Sequence, residues 1–282
     1  MAKQQLTPTP GHVQGGVGSD MFRLSCAVSQ ADDLAQAMAD LSGHIRAETM
    51  ARPDFITLHY GALRDPGDVL AQAEQAFGLG AEAFHGSSSC LGVMSGKGAA
   101  LTDGTSIGLL AIWDPQGSYG TAAAPLQGDA RGAAASAVRT ALRRAGRPGE
   151  APDLVWLTMA PGQEEAAIKG IKDVIGSPAM IVGASSADND VSGQWSQISP
   201  DGVTGDAVLV SVMFPSVPFG FSFESGYAPT THRGRVTQAD GRVLVSIDGR
   251  PAAQVYADWT GLPIVPEAGA VSILSDAAFM PL

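Results

Sequence analysis

Cysteine is almost absent from this chain, which holds only Cys26 and Cys90 among 282 residues. That excludes a disulfide scaffold, and no Cys-x-x-Cys spacing marks a metal or redox site. Both thiols are expected to be reduced and buried, since a free cysteine behaves as a small apolar residue. Charge is sparse, at 16% of residues, and basic charge is sparser still, with 17 Lys and Arg against 28 Asp and Glu. The formal net charge of -11 repels phosphate backbones, so nucleic-acid binding is not expected. No apolar run reaches the length of a membrane helix. Residues 1–20 carry Pro8, Pro10 and several glycines without the apolar stretch of a signal peptide, which predicts a mobile tail. A cytoplasmic protein with no membrane contact is expected.

Glycine is plentiful, with 35 residues beside 18 prolines, and predicts many tight turns between short elements. At 45% hydrophobic residues the chain is long enough and apolar enough for a substantial core.

The chain echoes itself. Gln30 and Asp32 are matched 97 positions later by Gln127 and Asp129, and Pro53-Asp54 is matched 99 later by Pro152-Asp153. Gly86 with Ser88-Ser89 returns 97 later as Gly183 with Ser185-Ser186, and Asp103-Gly104 returns 98 later as Asp201-Gly202. Four echoes in one order at a nearly constant offset indicate an internal repeat, about 22–113 and 119–214. Each copy reads as strand, helix, strand, helix, strand, then a last strand. The helices are expected over Ala31–Glu48 and Gly67–Phe77, then Asp129–Ala145 and Gln163–Ile175. Such alternation predicts an α/β fold of duplicated βαβαβ units with a largely parallel, mixed sheet, to which the last strand of each unit adds antiparallel. This α/β domain is expected over residues 21–215. A smaller α+β segment is expected over 216–282, with a hairpin turn at Asp240-Gly241 and a helix over Pro251–Trp259.

Two segments resemble a known family. Ile181-Val182-Gly183-Ala184-Ser185-Ser186-Ala187-Asp188 is similar to the Gly-Gly-Ser-Ala-x-Asp stretch of FIST domain proteins. Val236-Thr237-Gln238, Ile247 to Ala252 and Tyr256 are similar to the opening of that family's C-terminal domain. His85-Gly86-Ser87-Ser88-Ser89 resembles a divergent Gly-Cys-Ser-Thr loop, with Ser87 where cysteine is common. The resemblance covers roughly Phe22 to Gly261 and implies a FIST N domain followed by a shortened FIST C domain. It implies a sensory module that binds a small ligand, an amino acid among those suggested, and signals through a partner protein. Some family members bind haem and respond to nitric oxide; His232 is the residue that would hold haem here. Ser225-Gly226-Tyr227 departs from the family by standing where histidine-glycine is frequent.

The residues offer their own site. In open α/β sheets ligands bind beyond the carboxyl ends of strands. Gly86, Ser87, Ser88 and Ser89 occupy that position in the first unit. Gly183, Ser185, Ser186, Asp188 and Asp190 occupy it in the second. Hydroxyls donate and accept, loop N–H groups suit a carboxylate, and the two aspartates suit an ammonium group. The alternative is plain turn chemistry, with Asp188-Asn189-Asp190 as an Asx-turn.

Two other function classes stay open. A hydrolase or transferase would use a Ser or Cys of 87–90 with His85 and Asp188, but Cys90 stands where the nucleophile elbow needs glycine. A partner-binding module, or a homodimer, would use an apolar patch near Phe279-Met280-Pro281-Leu282. His12, His44, His59 and His85 lack metal-ligand spacing, so no metal site is expected. Ser95-Gly96-Lys97-Gly98 lacks the P-loop order and is expected as a flexible excursion or lid. Arg139, Arg143, Arg144 and Arg147 are read as a solvated helix face, with an acidic partner as the alternative.

Overall fold

The computed structural model describes residues 22–282 except 97, 103, 178, 221, 223–225 and 265–272. The expected tail over 1–20, Lys97 of the excursion, Asp103 of one echo and Ser225 lie outside the described residues. Two compact units divide the chain, the second being Gly220–Leu282.

The first unit builds two sheets. Its strands are β1 (Arg23–Ser29), β2 (Phe55–Gly61), β3 (Phe84–Ser89), β4 (Gly92–Ser95), β5 (Gly98–Leu101) and β6 (Ile107–Trp113), followed by β7 (Ser118–Pro125) and β8 (Leu154–Met159). Then come β9 (Met180–Ser185), β10 (Gln197–Ser199), β11 (Gly202–Thr204) and β12 (Ala207–Phe214). One sheet runs β1-β6-β2-β3-β10-β11 and the other β7-β12-β8-β9, with β4-β5 a separate pair. In each large sheet the last strand of the unit inserts antiparallel between the first two, and the second and third strands pair in parallel.

The α/β class is as expected, with parallel and antiparallel pairing mixed. The expected dominance of parallel pairing is corrected: among the ladders of the described residues only β2–β3 and β8–β9 are parallel. Insertion of β6 and β12 between parallel neighbours is the reason.

Four helices cover the sheets: α1 (Leu34–Glu48), α2 (Pro66–Phe77), α3 (Ala130–Arg144) and α4 (Glu164–Ile175). Their starts are written locally. Asp33, Asp65 and Asp129 each accept the N–H three residues on, from Gln36, Asp68 and Gly132, and Pro66 sits where its missing N–H is harmless. The helix α2 ends at Gly78 in the left-handed conformation. Gly170 lies inside α4, where glycine is otherwise unfavourable. A Cβ there would stand 2.1 Å from the Arg131 carbonyl oxygen, so the close approach of α3 and α4 requires it.

Alternation along the strands sorts side chains into layers. Ile56, Leu58 and Tyr60 of β2 join Met38, Leu41 and Val69 in the core under α1 and α2. Val155, Leu157, Val208, Val210 and Val212 join α3 and α4 in a second core. Full burial of each such aliphatic side chain contributes about 1.5–3 kcal/mol. The opposite faces meet each other. Phe55 and Ile112 from the first sheet pack with Met213, Tyr119, Leu154 and Trp156 from the second, and Phe55 stacks on Tyr119 at 5.4 Å. The result is helices, sheet, sheet, helices, in four layers. Strands buried on both faces explain the near-continuous apolar runs of β2 and β12.

The second unit has β13 (Val236–Asp240), β14 (Val243–Ile247), β15 (Arg250–Pro251), α5 (Ala252–Thr260) and α6 (Leu274–Phe279). Asp240 pairs with Val243 around Gly241, whose φ of 54° suits glycine. Ile247, Ala252 and Val255 form its small core with Leu244 and Trp259. No helix among the described residues is long and apolar enough to cross a membrane.

Candidate functional site

The two Gly-Ser segments do come together, but as strands rather than loops. Gly86 to Ser89 lie within β3, paired on one side by β2 and on the other by β10. Gly183 and Ser185 lie within β9. Between them runs a seam of short polar groups. Ser87 Oγ and Ser186 Oγ are 2.9 Å apart, and Gln197 Nε2 donates to Ser186 Oγ at 2.8 Å. Ser88 Oγ donates to the Ala187 carbonyl at 2.8 Å and accepts from the Ser196 N–H at 2.9 Å. Asn189 Oδ1 accepts from the Leu91 N–H across the same seam.

The remaining expected site residues have internal partners as well. Ser89 Oγ donates to the Gly92 carbonyl and Ser185 Oγ to Glu164 Oε1. Asp188 accepts from the N–H groups of Val191, Gly193 and Gln194, at 2.7, 2.6 and 2.9 Å. Burial alone would raise its pKa, but those backbone bonds outweigh it and hold the carboxyl below its usual range. Asp190 is exposed and accepts from the Ser192 N–H at 3.2 Å.

One group of the seam is left over. Gln197 is fully buried, and its Oε1 has no partner among the described residues. A buried acceptor of this kind is costly unless a donor reaches it. Sequence reading missed Gln197 because a glutamine in a short strand carries no distinctive signal.

His85 precedes Ser87 by two residues on the same face of β3, and points into the space between the sheets. Its Nδ1 meets Ser211 Oγ and its Nε2 meets Thr158 Oγ1, both at 2.8 Å, and Ser211 Oγ meets Thr121 Oγ1 at 2.6 Å. A serine therefore does lie within hydrogen-bond reach of a histidine, as a nucleophile and base would. His85 and Ser211 are both 0% exposed, however, and the second ring nitrogen is occupied by Thr158. The group is a sealed polar layer that ties β3 to β12, β8 and β7. Cys90 and Cys26 are exposed, which corrects the expectation of buried thiols: Cys90 follows the end of β3, and Cys26 lies on the edge strand β1.

Burial keeps both inter-sheet histidines neutral. The His59 imidazole is pushed down to about 4, and His85 is held well below the ordinary value by burial first and by His59 second. An unfolded histidine takes up its proton near pH 6.5. The unfolded state therefore binds more protons between pH 6.5 and 4, and stability present above pH 6.5 is lost as the pH falls through that window. His59, which keeps some contact with solvent, contributes at most about 2 kcal/mol of loss by pH 5. His85 adds to it in the same direction. The urea midpoint at pH 5 is expected to lie clearly below that at pH 7.5; equal midpoints would refute the neutral pair.

Cavities of ligand size are lined by described residues outside the seam. One of about 500 Å³ is confined to the second unit and lined mainly by apolar groups, including Tyr227, Tyr256, Trp259 and Phe279. His232 stacks on Trp259 at 5.8 Å, and Arg233 stands on the same wall with no partner among the described residues. Phe279 and Leu282 are 82% and 72% exposed, so the apolar end of the chain forms part of this wall. A second cavity, about 510 Å³, lies between β1 and the β4-β5 hairpin, beside Cys26, Asp40 and His44. The expected excursion is thus a hairpin that roofs this groove.

Haem is a poor fit to His232. Ligating histidines anchor their second nitrogen to an acceptor, and the His232 imidazole shows only the stacking contact among the described residues. No cluster of three or more His, Cys, Asp or Glu among the described residues is placed to hold a metal ion. The arginine cluster is partly tied down: Arg144 at the end of α3 pairs with Asp201, and Arg147, which lies beyond the helix, pairs with Glu150 and lies over Phe214.

The FIST N domain family matches residues 54–250, well over half of the chain. The chain belongs to the FIST family. FIST domains are sensory domains of signal transduction, and the resemblance carried by Ile181–Asp188 rests within the matched span. An uncharacterized protein of Methanocaldococcus jannaschii is 33% identical over 100 residues, a match that takes in 33% of this chain and 20% of that protein. The alignment thus spans about a fifth of that relative's length. A solved cyanuric acid hydrolase from A. caulinodans is similar at 12% identity and a TM-score of 0.38, over 70% of this chain and 68% of that one. Likeness at that level does not bear on chemistry. In this FIST protein the buried Arg64 also escaped sequence reading. It donates to the carbonyls of Ala31, Asp32 and Thr105, a role that no local pattern announces.

Proposed function

We propose that this FIST protein is a cytoplasmic small-molecule sensor that binds a small carboxylate with an apolar body, an apolar amino acid among them, and signals through a partner protein. The cavity of the second unit carries the reading. Its aromatic walls suit an apolar body, and the guanidinium of Arg233, which has no partner among the described residues, suits a carboxylate. The exposed, free thiols Cys26 and Cys90 support a reducing compartment.

The test is a thermal-shift screen of the full chain with amino acids and small aromatic carboxylates, followed by calorimetry. Binding of one such compound is expected to weaken at least tenfold in Arg233→Ala and in Trp259→Ala, about 1.4 kcal/mol or more. No shift from any carboxylate would reject this ligand class, and a Soret band in the purified protein would replace it with haem.

A second reading keeps the ligand at Gly86, Ser87, Ser88, Ser89, Gly183, Ser185, Ser186, Asp188 and Asp190. The unpartnered Gln197 Oε1 favours it, as an acceptor for an ammonium group. Under that reading Gln197→Leu abolishes binding, and Arg233→Ala leaves it intact. We also propose that the shared strand order of the two large sheets reflects an internal duplication.

A further inference from the structure

The two large sheets differ at one edge. In the first, the outer edge of β3 is covered by β10, with Ile198 opposite Gly86 and Gln197 opposite Ser87. In the second, β9 is the last strand. Gly183 and Ala184 stand 97 positions after Gly86 and Ser87, and they are the two exposed residues of β9. The contrast is local and sharp: Gly86 is buried because the Ile198 side chain stands 2.6 Å from where its Cβ would be. Among the described residues, equivalent strands thus present one covered edge and one bare edge. A bare edge is a template for another strand.

The chain also carries a hairpin without a sheet. Between the third and last strands of each half lies one short hairpin, β4-β5 in the first and β10-β11 in the second. The second crosses over and extends the first sheet, whereas β4-β5 joins neither. Ala99 and Ala100 of β5 stand 98 positions before Gln197 and Ile198. Met94 and Leu101 of this hairpin are 86% and 67% exposed, an unusual display of apolar side chains.

We propose that β5 of a second copy docks on the β9 edge, repeating between chains the contact that β10 makes with β3 within one chain. Ala99 then lies opposite Ala184, and Ala100 opposite Gly183, in antiparallel register. Exchange of hairpins in both directions closes a two-fold dimer in which neither β9 edge stays bare.

Sedimentation of the full chain over a range of concentrations reads the assembly. A dimer is expected, with its dissociation constant raised about tenfold or more by Ala184→Lys and, independently, by Leu101→Lys, since charge on an edge opposes strand pairing. Circular dichroism and the melting temperature guard against misfolding of either variant. Directly opposed residues of paired strands lie about 4.5–5.5 Å apart, within reach of a disulfide. In a Cys26→Ser, Cys90→Ser background, Ala99→Cys chains mixed with Ala184→Cys chains are therefore expected to form a cross-linked heterodimer on oxidation. A monomer at every concentration overturns the proposal. So does a dimer that yields no Ala99–Ala184 cross-link, whatever its response to the lysine variants, because another occupant or surface then holds the copies together.

Discussion

Replacing His85 with alanine is expected to destabilise the first unit by about 3–5 kcal/mol, the range for breaking a buried polar network while also leaving a void. Ser211 and Thr158 each lose a partner at 2.8 Å, in a layer where no solvent reaches. The loss is non-local in origin: β3 loses its polar tie to β12 and β8, and through Ser211 to Thr121 of β7. Combining His85→Leu with Ser211→Ala, Thr158→Val and Thr121→Val removes the polar groups together, and is expected to cost less than His85→Ala alone. The reason is that unpaired buried hydroxyls are worse than none. Urea titration at pH 7.5 measures both variants. A loss under 1 kcal/mol in His85→Ala would show that the sheets do not depend on this layer.

Asp188→Ala is expected to cost about 2–4 kcal/mol, because three backbone donors lose a charged acceptor at once. Those donors, on Val191, Gly193 and Gln194, shape the turn that brings the chain from Ser186 back to Gln197 in β10. Loosening that turn reaches the seam, since Gln197 and Ser196 hold Ser186 and Ser88. Asp188→Asn, which keeps an oxygen but loses the charge, is expected to fall between the two. Thermal melts distinguish this from a pure ligand role: unchanged melting with lost ligand binding would make Asp188 a binding residue instead.

How much of this was legible in the sequence depended on range. Helix spans were nearly legible, because apolar periodicity acts over three or four residues; the start of α1 was not, since Asp33 caps a helix that begins at Leu34 rather than at the expected Ala31. The hairpin turn at Gly241 was local in the same way. The family was legible too, because Ile181 to Asp188 keeps its residue types in order whatever surrounds it. The Gly-Ser segments were harder. Serine and glycine have little strand propensity of their own, and β3 takes up Gly86 to Ser89 only because β2 and β10 supply partners on both sides.

By itself, then, the sequence determined the α/β class, the approximate spans of its helices, the echo between its two halves and the family. Tertiary structure alone decided that there are two sheets, that His85 lies sealed between them, that Ser87 meets Ser186 while the other polar site residues bond to Glu164 or to backbone groups, and that β10 covers β3 while β9 has no outer strand partner among the described residues. The division follows the physics: capping and periodicity act over three or four residues, whereas strand order and the pairing of buried polar groups are set by segments about a hundred residues apart, as Ser87 and Ser186 are.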